Sequence, residues 1–147
     1  CRDCEGTGPQ VKVILDTNVF ISGVFFSGPP YRILSAWRDG MLQLVVSQDI
    51  LTEYWRVAEA FAEEYPSIDL QPILDLLTIE SELHIVKDLP CPVCSDPDDD
   101  KFLACAIASK SKIIISGDKH LLRVSGYQDI EILKPHEFLK RYLQKNE

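Results

Sequence analysis

The feature that most constrains this chain is an alternation of short, β-branched apolar runs with longer segments of helical period. Val11-Lys-Val-Ile-Leu15 reads as a buried strand ending at Asp16. Leu42 to Val46, Leu83 to Val86, Ile113 to Ile115 and Ile130 to Leu133 read as further strands. Between them, Gly23, Gly28, Pro29 and Pro30 mark a loop, and Tyr31 to Arg38 reads as a helix stopped at Gly40. Ser47 is an N-cap with Asp49 in the first turn, followed by apolar residues at Ile50, Leu51, Tyr54, Trp55, Ala58 and Phe61. Pro66 ends that helix, and Asp69 caps another with Leu70, Ile73, Leu74 and Leu77 on one stripe. Asp96-Pro97 pairs a cap residue with proline at the first helical position, opening a helix to about Lys110. Pro135 opens a C-terminal helix. Strands alternating with helices imply a parallel sheet covered on both faces. The expected class is α/β, a three-layer α/β/α sandwich around a central parallel sheet of four to five strands.

A chain of 147 residues implies one domain, and 46% apolar with 26% charged residues excludes disorder, collagen and coiled coil. The expected organisation is a flexible tail over 1–10 and a single domain over 11–147. No apolar run approaches the ~18 residues of a membrane span, and no basic, apolar leader is present, so the expectation is a cytoplasmic protein without a membrane partner. Charge is unevenly placed: residues 1–100 carry 6 basic and 18 acidic side chains, residues 101–147 carry 9 and 5. An acidic focus beside a basic rim is compatible with a nucleic-acid ligand in a way that uniform acidity is not.

Candidate chemistry lies where acids follow strands. Asp16 directly follows the first strand, and Asp118 follows the strand 113–116. In open parallel α/β sheets, ligands bind beyond the carboxyl ends of strands. Asp96, Asp98, Asp99 and Asp100 crowd a helix start entered from the same edge, and repel one another unless a cation or the helix dipole offsets them. Capping accounts for some of these acids. Carboxylates converging from separate elements call for a hard divalent cation, Mg²⁺ or Mn²⁺. Glu53, one turn into its helix, is either a solvated residue or a fourth acid in the cleft. The residues alone do not choose between Asp99 and Asp100.

Val13-Ile-Leu-Asp-Thr-Asn-Val19, Val46-Ser-Gln-Asp-Ile-Leu-Thr-Glu53, Asp96-Pro-Asp-Asp-Asp-Lys-Phe-Leu-Ala-Cys-Ala106 and Ile115-Ser-Gly-Asp-Lys-His-Leu121 resemble the successive motifs of PIN domains. The nearest likeness is to the PIN proteins classed as toxins of toxin–antitoxin systems, related to VapC. The resemblance spans about residues 11–141. It implies a Mg²⁺- or Mn²⁺-dependent ribonuclease acting on single-stranded RNA, with Asp16, Glu53, Asp100 and Asp118 as its catalytic acids. Asp16, Asp100 and Asp118 are the expected metal ligands. Ser116 takes the family's Ser/Thr position, and the choice of Asp100 over Asp99 rests on the resemblance. An antitoxin protein and a homodimer or higher oligomer are the implied partners; Trp37, Trp55, Phe61 and Tyr65 are in keeping with self-association.

Asn18 is a candidate for contacting a ligand or the scissile phosphate, with local turn bonding as the alternative. Lys101, Lys119 and Arg123 flank the acids and are candidates for RNA phosphates, with ion pairing as the alternative. His120 is a minor candidate for base or ligand.

Five cysteines remain: Cys1, Cys4, Cys91, Cys94 and Cys105. Cys105 lies in an apolar run and reads as a buried thiol. Cys1-Arg-Asp-Cys-Glu-Gly-Thr-Gly8 resembles one cysteine-rich repeat of DnaJ-type chaperones. Pairing Cys1 and Cys4 with Cys91 and Cys94 would give a Zn²⁺ site. The two pairs flank opposite edges of the sheet, about 20 Å apart for a six-residue strand, which argues against it within one chain. Two alternatives stand beside the ribonuclease reading. A catalytically silent PIN-fold binding module is disfavoured by the presence of all four acids. A haloacid dehalogenase-type phosphohydrolase needs an Asp two residues after the first, where this chain has Asn18.

Overall fold

The computed structural model describes residues 11–84 and 100–143. The tail at 1–10, both cysteine pairs, and Asp96, Asp98 and Asp99 lie outside the described residues. Five strands form one sheet in the order β3-β2-β1-β4-β5: β1 Val11–Leu15, β2 Leu42–Ser47, β3 Ser81–His84, β4 Ile113–Ile115 and β5 Glu131–Leu133. Every pairing is parallel. The connecting helices are α1 Thr17–Phe25, α2 Pro29–Arg38, α3 Gln48–Glu64, α4 Gln71–Glu80, α5 Asp100–Ser109, the short α6 Lys119–Leu122 and α7 Pro135–Phe138. Helices cover the sheet in a three-layer α/β/α sandwich. Burial on both faces is what makes the central strands read as unbroken apolar runs: Val13, Ile14, Leu44, Val45, Val46, Ile114 and Ile115 are all fully buried.

Three local readings change. The segment after Asp16 is the helix α1, and Gly23 lies inside it rather than in a loop. A Cβ on Gly23 would sit 2.6 Å from Leu34 Cδ1 and 2.8 Å from the Pro30 carbonyl oxygen, so this glycine lets α2 approach α1 instead of breaking the helix. The third strand, described over Ser81–His84, begins two residues before the apolar run, and residues 85 and 86 lie outside the described residues. As an edge strand paired only with β2, it needs no apolar character, and Leu83 is 56% exposed. Finally, Asp69 accepts from the Gln71 N–H at 3.0 Å but stands just outside α4.

Candidate active site

The chain leaves the central strand β1 toward β2 and β3, then returns to the other side of β1 as β4 and β5. The reversal opens a crevice between the carboxyl ends of β1 and β4, the place where parallel α/β sheets bind ligands. Asp16 sits there. Its N–H donates to the Ile115 carbonyl at 3.0 Å, and its own carbonyl accepts from Phe20 N–H at 3.0 Å, opening α1. The residue is 6% exposed. Ser116, fully buried at the end of β4, donates its hydroxyl to Asp16 Oδ2 at 2.8 Å. The Ser116 Oγ in turn accepts the Asp118 N–H at 2.9 Å. One hydroxyl thus fixes two acids that lie a hundred residues apart in the chain. Asp118 caps α6, its Oδ1 accepting from His120 N–H at 3.0 Å.

Burial raises the Asp16 carboxyl above the ordinary carboxylate range; the Ser116 hydroxyl opposes this, Asp118 adds to it, the Asn18 amide opposes it and Glu53 adds to it. Two of the expected acids therefore act directly on a third.

Glu53 is held by α3. Ser47 caps this helix as the sequence implies, its hydroxyl accepting from Ile50 N–H at 3.3 Å. The next residue, Tyr54, is fully buried and stacks on Phe20 with ring centroids 4.2 Å apart. Its hydroxyl donates to the Leu15 carbonyl at the end of β1. Tyr54 thereby anchors α3 beside Asp16, a positioning role that an apolar helical stripe does not reveal. Burial, then Asp16, push the Tyr54 hydroxyl well above its ordinary range, so it stays a neutral donor. Glu53 Oε1 is buried without a hydrogen bond and forms an ion pair with the Lys101 ammonium.

Asp100 opens α5 and is half-buried. Lys101, expected beside the substrate, turns to Glu53. Asn18 is exposed in the first turn of α1, and Lys119, His120 and Arg123 are exposed on or just after α6. Thr17, next to Asp16, has a buried hydroxyl with no hydrogen-bond partner. Cys105 is the buried thiol the sequence implies, pushed up to about 12 by burial and therefore unreactive.

In chemical kind the donor set suits a hard divalent cation: oxygen ligands only, and a buried carboxylate with further acids bearing on it. Among the described residues, no three His, Cys, Asp or Glu side chains are grouped closely enough to hold a metal ion as they stand, Asp16, Asp100 and Asp118 included.

A five-stranded parallel sheet with a buried acid at its switch point defines a three-layer α/β fold with a candidate site at its carboxyl edge. The family model for the PIN domain matches residues 12–120, from β1 into α6, and the chain belongs to that family. The span includes Asp16, Glu53, Asp100 and Asp118. The chain is also similar to the uncharacterized protein MJ1680 of Methanocaldococcus jannaschii, with 30% identity over 145 residues, covering 90% of this chain and 92% of the relative. Among the described residues no helix is long and apolar enough to cross a membrane.

Proposed function

We propose that this protein is a Mg²⁺- or Mn²⁺-dependent endoribonuclease that hydrolyses phosphodiester bonds of single-stranded RNA. The observation that carries the reading is the Asp16–Ser116–Asp118 linkage at the switch point, with Glu53 acting on the same carboxylate. Asp16, Asp118 and Asp100 would hold the cation. When bound, such an ion lowers the pKa of a coordinated water to give a hydroxide nucleophile and offsets charge developing at phosphorus.

The chain's own residues do the rest. Ser116 orients Asp16 by donating to one oxygen, leaving the other for a ligand. Glu53 is a fourth carboxylate, suited to orienting the attacking water. Lys119 contacts a flanking phosphate, and Asn18 presents an amide at the entrance. Water as nucleophile implies that the products carry no 2′,3′-cyclic phosphate. Incubating purified protein with end-labelled single-stranded RNA in Mg²⁺, Mn²⁺ or chelator tests the reading.

A toxin role restrained by an antitoxin protein, and assembly as a dimer or larger, belong to the same proposal. Trp55 and Tyr65 are each over a third exposed, which favours self-association; Trp37 is core and drops out of that support. Sedimentation at tens of micromolar is expected to give at least twice the chain mass of 16.7 kDa. A single species of the chain mass would contradict it.

A further inference from the structure

Lys101 carries a charge that the hydrolytic scheme leaves unexplained. It sits in the first turn of α5, where the helix dipole disfavours a cation. Its side chain is only 20% exposed, and that of its partner Glu53 24%. Glu53 Oε1, which meets the ammonium, is buried and makes no hydrogen bond. The contact is therefore held by charge between two groups that have lost most of their water. The other basic neighbour, Arg56, stands 3.9 Å from Glu53 Oε2 with its side chain 72% exposed, a screened contact that cannot replace it. Asp16 and its buried Ser116 link lie within electrostatic reach of the same Glu53. The ammonium thus occupies the space of a cation on an acid whose charge bears on Asp16.

We propose that Lys101 is an internal competitor for the divalent cation: its ammonium holds Glu53 until the cation enters, and is then released to an RNA phosphate. The inference rests on the metal-dependent reading above. A divalent cation held by Asp16, Asp100 and Asp118 beside Glu53 repels the ammonium, so the ion must displace it or bind more weakly next to it. A lysine suits this use. Its point charge on a flexible four-carbon stem swings between partners, where the planar fork of arginine would be fixed by its geometry. Metal affinity is then set below what the carboxylates alone would give, and uptake of the ion is coupled to freeing the phosphate contact.

The test is Mn²⁺ binding by calorimetry to the whole chain, wild type, K101M, K101R, E53Q and the K101M/E53Q pair, with thermal unfolding in chelator to verify folding. K101M is expected to bind Mn²⁺ about tenfold tighter, within the usual range of such couplings. K101R, which keeps the charge, is expected to stay within about twofold of wild type on the same scale. In the E53Q background, removing Lys101 is expected to change affinity less than twofold, since the competition runs through Glu53. The K101M melting temperature in chelator should fall and recover when Mn²⁺ is added, because the unpaired Glu53 regains a cation. Unchanged or weaker Mn²⁺ binding by K101M overturns the inference, as does an equal gain with and without Glu53. A wild type that takes up no Mn²⁺ overturns the metal-dependent reading and this inference with it. A wild type that binds Mn²⁺ and cleaves RNA, beside a K101M that binds no tighter, overturns this inference alone.

Discussion

Asp16 is costly to the apo fold because it is a buried acid whose neighbours are acids. Its carboxyl is raised in the folded state, so the fold prefers it protonated. Stability gained from that proton is present below the unfolded pKa and is lost as pH rises through the raised one. In the absence of metal, Asp16→Asn should therefore melt above wild type at neutral pH, and the gap should narrow as pH falls toward the ordinary carboxylate range. A gap that stays constant with pH would contradict it. Glu82 works in the opposite direction: its carboxyl is held low, first by His84 and also by Lys12, so its contribution is lost in acid. The comparison must be between variant and wild type, where Glu82 cancels. Ser116→Ala removes the hydroxyl serving both acids, and a loss of roughly 10–100-fold in metal affinity or cleavage is expected. The remaining activity should have its acid limb moved to higher pH, because Asp16 loses the donor that holds it down; Ser116→Thr should restore both. Asp16 and Asp118 were legible because each follows an apolar run. The Lys101–Glu53 pair was not, since nothing in the sequence says which of several nearby acids a lysine meets.

Among the elements, the strands were the easiest to read, because a strand buried on both faces leaves an unbroken apolar run. The exceptions have physical causes. β3 pairs on one side only, and its Ser81 and Glu82 carry no apolar signal. α1 was hidden by Gly23, whose helix-breaking tendency is outweighed by close packing with α2. Gly23→Ala gains up to about 1 kcal/mol in helix propensity. It also forces a Cβ to within 2.8 Å of the Pro30 carbonyl oxygen. Backbone cannot swing aside as a side chain can, so a net loss of about 1–3 kcal/mol is expected by denaturant titration. A stabilised variant would show that α1 and α2 are not packed this closely. Gly23 meets only Leu34 and Pro30 and none of the acids, so RNA cleavage by the folded fraction should be preserved. In α5, Phe102 to Ala106 are all buried, so no polar face marks which acid at its start turns inward.

For the whole molecule, the strand–helix alternation specified a parallel three-layer sandwich, and the switch point then fixed where a site must be. Composition said little about function: a net charge of −8 alone would argue against an RNA ligand. Its placement is more telling, since Lys119 and Arg123 lie exposed within a few residues of Asp118. A strand threading that edge would meet cations first and carboxylates at the reacting bond. The central claim is that Asp16 and a divalent cation together cleave single-stranded RNA. The most direct measurement is a time course of cleavage of an end-labelled single-stranded RNA by wild type and Asp16→Asn, each in Mn²⁺ and in chelator, with product ends identified. The account predicts cleavage only by wild type in Mn²⁺, with no 2′,3′-cyclic phosphate. Cleavage that survives chelation, or that persists in purified and folded Asp16→Asn, would contradict it.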